Sequence, residues 1–279
     1  MYQWLVAPLY PIVGKKKRWL VIGGVLNILP FDTFCTKLGI DTRKVNFLDI
    51  NYQAFPYLIW HHTISYATSA TLAFLKRPSH RYTRQFLGIA PGTYQDTTEY
   101  RTLPYAPQEV TNIAQMVPQP KYTLLGKAAT RQRIIKEGAN TKWLHFATHG
   151  ISHRKVDLNG ILLYKKPWLV KDLHPLRFNN DLVVLSSCRA VSGKFIQGEG
   201  RLAMPRSFLR AGARNILYTL WSVNDRLAAR MMTSFYKYLM QGLDYAAALR
   251  KAKLEFLNDP KPMYGYPSLW GVFLLEGRL

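Results

Sequence analysis

The sequence predicts an α/β fold with a mostly parallel sheet flanked by helices, and three observations predict it. Short apolar runs of strand length recur along the chain, among them "WLHFATHG" and "DLVVLSSC". From about residue 85 onward they alternate with amphipathic stretches of helical length. Strand–helix repeats of this size place neighbouring strands in parallel through right-handed crossovers. The third observation is bulk: 279 residues, 48% hydrophobic and 13% aromatic, can bury a large core.

The elements follow in order. "RWLVIGGVLNILPFDTF" reads as a strand, a turn at Gly23-Gly24 and a second apolar piece that ends at Pro30. A strand around Thr63–Tyr66 precedes Ser69, which has the chemistry to cap a short helix. The polar, basic stretch from Pro78 to Arg84 marks a domain boundary, giving a lobe over 1–80 and a larger one over 81–279. "QFLGIAP" is a strand stopped by Pro91. "APQEVTNIAQMV" is a helix with Val110, Ile113, Ala114 and Val117 on one face. "YTLLG" is a strand, and "TRQRIIKEG" a helix capped by Thr130 and stopped by Gly138. "WLHFATHG" and "DLVVLSSC" are the next two strands. A helix closing on Gly212, the strand "RNILYTLW", two long helices and a last strand in "SLWGVFLLEG" complete the series. There is no internal repeat and no low-complexity segment.

Charge is the unusual feature of the composition. Thirty-eight Lys and Arg stand against sixteen Asp and Glu, a net +22. The excess is spread evenly: 17 basic and 7 acidic residues over 1–140, 21 and 9 over 141–279. Such a surface attracts polyanions at long range. No helix-turn-helix, zinc knuckle or aromatic base-reading strand accompanies it, so any nucleic-acid binding is expected to be non-specific. The two cysteines, Cys35 and Cys188, do not make a disulfide framework. With no signal peptide in the sequence, they point to a reducing cytoplasm. Apolar runs such as Trp19–Leu29 are too short for a membrane span and contain glycines. No His/Cys cluster has metal-ligand spacing, and no cofactor signature is present.

Two of the strands end on chemically active residues. His149 closes "WLHFATHG" and Cys188 closes "DLVVLSSC", so an adjacent parallel pair would carry both at the carboxyl edge, where open α/β sheets keep their sites. An imidazole within reach of a thiol can deprotonate it, which is the requirement of thiol nucleophilic catalysis. Gly150, lacking a side chain, can turn its N–H toward an oxyanion alongside the N–H of Cys188. Taken singly, each residue reads as structural: an inert core thiol and a satisfied imidazole. Taken as a pair at matching strand ends they read as a dyad, and on physics alone both readings stay open.

"WLHFATHG", "DLVVLSSC" and "GEGRLAMPRSFLRAGARNILYTLWSVND" resemble the successive signatures of the CHAT domain family, which groups with caspases and separases. "VLNILPFDTF", "ISYATSATL", "LPYAPQEVTNIA" and "LLGKAATRQRI" extend the resemblance in order over nearly the whole chain. It implies a caspase-like sheet with a smaller, catalytically empty N-terminal lobe. It also implies a Cys-His endopeptidase acting on a protein substrate, with His149 as general base, Cys188 as nucleophile, and the N–H groups of Gly150 and Cys188 as oxyanion hole. CHAT domains commonly follow helical repeats that sense a signal. Because the resemblance begins at Met1, such a sensor is either a separate protein or part of a longer chain.

One departure stands next to the nucleophile. The family commonly continues with Glu-Thr-Gly, whereas this chain has Arg189-Ala190-Val191-Ser192-Gly193. A cation there favours the thiolate if it points at Cys188, and it alters a loop beside the substrate cleft. This keeps an alternative in view, a catalytically inactive scaffold. Asp225, in "WSVND", sits where related peptidases keep an acidic pocket residue. The reading preferred from sequence is Asn224 or Asp225 as the N-cap of the long helix. The glycine-rich stretch Ser192–Gly200 is expected to need a partner to order it.

Overall fold

The computed structural model describes residues 1–37, 50–75, 79–94, 100–186 and 203–278. Among these residues eight strands form one sheet: β1 (Arg18–Ile22), β2 (Thr63–Ala67), β3 (Arg84–Ala90), β4 (Lys121–Leu125), β5 (Thr141–Phe146), β9 (Leu182–Leu185), β10 (Asn215–Thr219) and β11 (Phe273–Glu276). Their spatial order is β1-β2-β11-β10-β9-β5-β3-β4. Every neighbouring pair is parallel except β10–β11. That single antiparallel junction divides the sheet into a five-strand block and a block of β1, β2 and β11 that runs the other way. The residues before about 80 thus pair into the same sheet as the rest, through β11. A second, antiparallel sheet follows the end of β5: β6 (Gly150–Ile151), β7 (Gly160–Leu162) and β8 (Pro167–Leu169). Its strands are too short to leave a periodic signal in the sequence.

Alternation along β5 explains the layering. Trp143 and His145 turn to one face, where both meet the ring of Tyr236. Phe146 turns to the other and packs on Trp168 and Phe208. The first face carries α4 (Tyr105–Met116), α8 (Asp225–Met240) and α9 (Tyr245–Leu257), packed side by side. The second carries α5 (Arg131–Gly138), α6 (Val170–Leu173) and α7 (Ala203–Ala211). Two short N-terminal helices, α1 (Tyr2–Leu5) and α2 (Tyr10–Val13), flank β1; α3 (Ala70–Phe74) follows β2, and α10 (Pro267–Trp270) precedes β11.

Local rules set the ends of these elements. The Ser69 hydroxyl accepts from Leu72 N at 3.2 Å and caps α3, as its chemistry predicts. Thr130 occupies the cap position of α5 but makes no capping bond. Gly212 closes α7 with φ +118°, and a Cβ there would lie 2.0 Å from Phe178 O, so no other residue fits. Among the described residues no helix is long and apolar enough to cross a membrane, and no group of three or more His, Cys, Asp or Glu could hold a metal ion.

Candidate active site

The carboxyl ends of β3, β5, β9 and β10 share one edge of the sheet, and among the described residues three connections meet there. The first leaves β3 and returns as α4; it carries Tyr94, Tyr100 and Arg101. Gly92, with φ +69°, makes its first turn, and its carbonyl accepts from Leu103 N at 2.8 Å. The second carries Thr148, His149 and Gly150 beyond β5. The third leads from β10 into α8 and carries Asn224 and Asp225.

His149 is held on three sides. Its Nε2 lies 2.7 Å from Arg101 O. A carbonyl only accepts, so Nε2 carries the proton and the neutral ring has its lone pair on Nδ1. Tyr94 and Tyr100 flank the ring, with centroids 5.3 Å and 5.5 Å away. Its backbone N–H donates to Tyr94 Oη at 3.4 Å. Thr148 Oγ1 donates to Leu162 O at 2.5 Å, so the 3.0 Å contact between Tyr94 and Thr148 has the tyrosine as donor. The loop is thereby tied both to the loop after β3 and to β7.

Gly150 is buried and its backbone orientation follows from the register. Gly150 faces Ile161 in the β6–β7 pair, and Leu162 N donates to His149 O at 2.8 Å. That bond makes Gly150–Ile161 a non-hydrogen-bonded pair, so the Gly150 N–H points away from β7. Strands β5 and β9 run in parallel with Trp143 opposite Leu182 and Phe146 opposite Leu185, an offset of 39 residues (182 − 143). His149 and Cys188 are separated by the same 39 positions (188 − 149). Cys188, Arg189 and the stretch 192–200 lie outside the described residues.

Asp225 does cap a helix, but not its own. Asn224 is the N-cap of α8, accepting from Arg226 N at 3.0 Å. The Asp225 Oδ2 instead accepts from Tyr105 N at 2.6 Å, at the first turn of α4. Burial pushes this carboxyl up from its ordinary value, and the amides of Tyr105 and Ala106 pull against that shift. Asp225 therefore ties the β10–α8 connection to the segment that presents Arg101.

His145, four residues before His149, has a different task. It is fully buried, with Nε2 2.7 Å from Glu109 Oε1 and Nδ1 3.4 Å from Tyr236 Oη. It pins α4 and α8 to β5. The signal for this was Glu109, a carboxylate on the apolar stripe between Ala106 and Ile113. Arg101 gave no such signal, because it acts through a backbone carbonyl that every residue has. Tyr94 and Thr148 are equally silent in sequence. Cys35 is a free thiol in the N-terminal region, partly buried, and burial raises its pKa to about 11.

The model of the CHAT domain family matches residues 1–278, and the chain belongs to that family. Tetratricopeptide repeat protein 28 of Mus musculus is 26% identical over an alignment covering 99% of this chain. The chain spans 13% of that protein's length and 9% of its Homo sapiens counterpart's. Among solved structures it resembles the Saccharomyces cerevisiae separase in its complex with securin (TM-score 0.53, 12% identity, 82% of this chain and 15% of that one). It also resembles gingipain R, an Arg-specific cysteine proteinase (TM-score 0.58, 10% identity, 96% of this chain and 65% of that one). These likenesses establish a caspase-like α/β fold.

Proposed function

We propose that this member of the CHAT domain family is a cysteine endopeptidase that cuts a protein partner with a His149–Cys188 dyad. The observation that carries the reading is the hydrogen bond from His149 Nε2 to Arg101 O, which leaves Nδ1 as the basic nitrogen. In this reading Nδ1 takes the proton of the Cys188 thiol, and the thiolate attacks the scissile carbonyl carbon. The N–H groups of Gly150 and Cys188 receive the oxyanion, and the orientation of Gly150 away from β7 supports its part. The proton on Nδ1 then passes to the leaving amine, and the acyl-enzyme is hydrolysed by water that the same nitrogen deprotonates. The Arg101 carbonyl orients the imidazole and stabilises the imidazolium, the task a carboxylate performs in a triad.

The expected experiment is hydrolysis of a peptide library by the parent, Cys188→Ala and His149→Ala. Both variants should lose turnover by about 10⁶-fold, as removal of a nucleophile or its base does elsewhere, while remaining folded. Retained turnover in either one refutes the dyad. A second reading, an interaction scaffold, draws on the departure at Arg189 and on relatives named for helical repeats. It requires that Cys188 alkylate no faster than Cys35 at neutral pH.

A further inference from the structure

Strand β1 stands at the rim of the eight-stranded sheet and, among the described residues, pairs with β2 alone. Its residues are exposed or half-buried throughout, whereas β2 is buried from Ile64 to Ala67. The register fixes which backbone groups are turned outward. Thr63 N donates to Lys17 O at 2.8 Å and Gly23 N to Ala67 O at 3.1 Å. In a parallel ladder this sets Lys17, Trp19, Val21 and Gly23 toward β2. The N–H and C=O groups of Arg18, Leu20 and Ile22 therefore point away from the sheet.

Beside that rim runs an apolar groove of about 350 Å³ between α1, α2 and β1, with Leu5, Leu9, Val13, Leu20, Ile22 and Phe31 in its walls. Large apolar side chains stand exposed around it, Trp4 at 85% and Ile12 at 75%. Lys15, Lys16, Lys17 and Arg18 are exposed at the entrance of the strand. Arg18 is paired with Asp244, and among the described residues the three lysines have no ion pair.

We propose that the β1 rim docks an extended segment of a protein partner, alternately apolar, with acidic residues following its last apolar one. Such a segment adds antiparallel to β1 and uses the outward groups of Arg18, Leu20 and Ile22. Every second side chain enters the groove. Its acidic end, running opposite to β1, lies alongside Lys15–Lys17. Charge decides against a second copy of this chain, since each carries a net +22. It also matches the basic run to an acidic partner. An open rim with apolar flanks is otherwise an aggregation hazard, which a dedicated strand removes.

The probe is the labelled, acetylated peptide amide Thr-Val-Thr-Val-Ser-Val-Asp-Glu-Glu-Glu, titrated with the whole chain and followed by fluorescence anisotropy. Saturable binding is expected. Leu20→Pro removes an outward N–H without touching the β1–β2 bonds and should weaken binding by about tenfold. Should that variant fail to fold, the peptide N-methylated along one edge gives the same reading against the parent protein. Replacing Lys15, Lys16 and Lys17 by Gln should weaken it by about tenfold at low ionic strength, and less in high salt. Equal binding of a peptide with Lys in place of its acidic residues overturns the proposal. So does capture by phosphatidylserine vesicles with no peptide binding, or a dimer in sedimentation that Leu20→Pro abolishes.

Discussion

Strands β5 and β2 lie in one sheet and end at opposite edges, and the chain treats the two ends differently. Past β5 it sets a titratable ring at the surface: the His149 ring is only partly covered, and it is oriented by a backbone carbonyl. Past β2 it closes polar groups on each other. Thr68 Oγ1 donates to Glu276 Oε1 at 2.5 Å, Asn27 Nδ2 to the same oxygen at 3.2 Å, and Tyr218 Oη to Oε2 at 3.3 Å. Glu276 is completely buried, and burial followed by the nearby Glu276 charge pushes the Tyr218 hydroxyl well above its ordinary pKa. A strand end becomes a candidate site when its polar groups are held in place and partly open to solvent. It becomes a structural joint when they satisfy one another.

The sharpest way to break this contrast is to charge the joint side of the molecule. Lys253 on α9 is paired with Asp32 in the N-terminal region, and both are almost fully buried. Lys253→Met leaves Asp32 buried without its ion-pair partner, which should cost about 3–5 kcal/mol in urea unfolding. Lys253→Met with Asp32→Leu should recover most of that, because the buried charge is gone. Next in size is Glu276→Gln, which replaces an acceptor by a group that also donates and should cost about 1.5–3 kcal/mol. Turnover per folded molecule should be unchanged, since the joint lies at the far edge.

Asp225 falls between the two classes. Asp225→Ala should lower stability by about 1 kcal/mol through the first turn of α4. It should reduce cleavage of matched peptides ending in Arg, Leu and Asp equally. A selective loss on the Arg peptide would instead make Asp225 a pocket residue that shares its carboxylate with Tyr105. His149→Ala, on the site side, should cost about 1 kcal/mol, the worth of its bond to Arg101 O.

The smallest effect concerns Cys35. Its thiol is raised from 9.0 to about 11 by burial, so it should alkylate slowly at neutral pH and faster as pH climbs toward that value. The unfolded thiol ionises first, so the contribution to stability is whole below 9.0 and lost as pH rises through about 11. Cys35→Ser should flatten that alkaline decline. Thiol labelling of the parent at neutral pH then reports Cys188 with little interference.

Much of this was legible in the sequence because it rests on local patterns. Apolar runs located β3, β5, β9 and β10; the spacing of Val110 and Ile113 located α4; Ser69 and Gly212 announced a start and a stop. The reversal at β11 was not legible, since the run "VFLLE" reads the same whichever way its neighbours run. Strands β6 to β8 were missed because two or three residues hold no period. Of the candidate site, the place of His149 and Gly150 just past the end of β5 was legible, because the apolar run before them marks the strand. Its support was not, because Arg101 works through its carbonyl and Asp225 through an amide 120 positions away.

The reversal at β11 also orders events in time. On the ribosome the chain emerges N-terminus first, so β1 and β2 are made long before β11, their sheet partner. A lone parallel pair is a poor nucleus, because its pairing needs long loop closure and gains few bonds. The five-strand block from Arg84 to Thr219 can assemble meanwhile, strand by strand. Phe273–Glu276 then closes the molecule from both sides at once, antiparallel to β10 and parallel to β2. Until that moment the nascent chain holds its N-terminal strands in waiting. A stop codon just before Phe273 would leave them without a sheet to join.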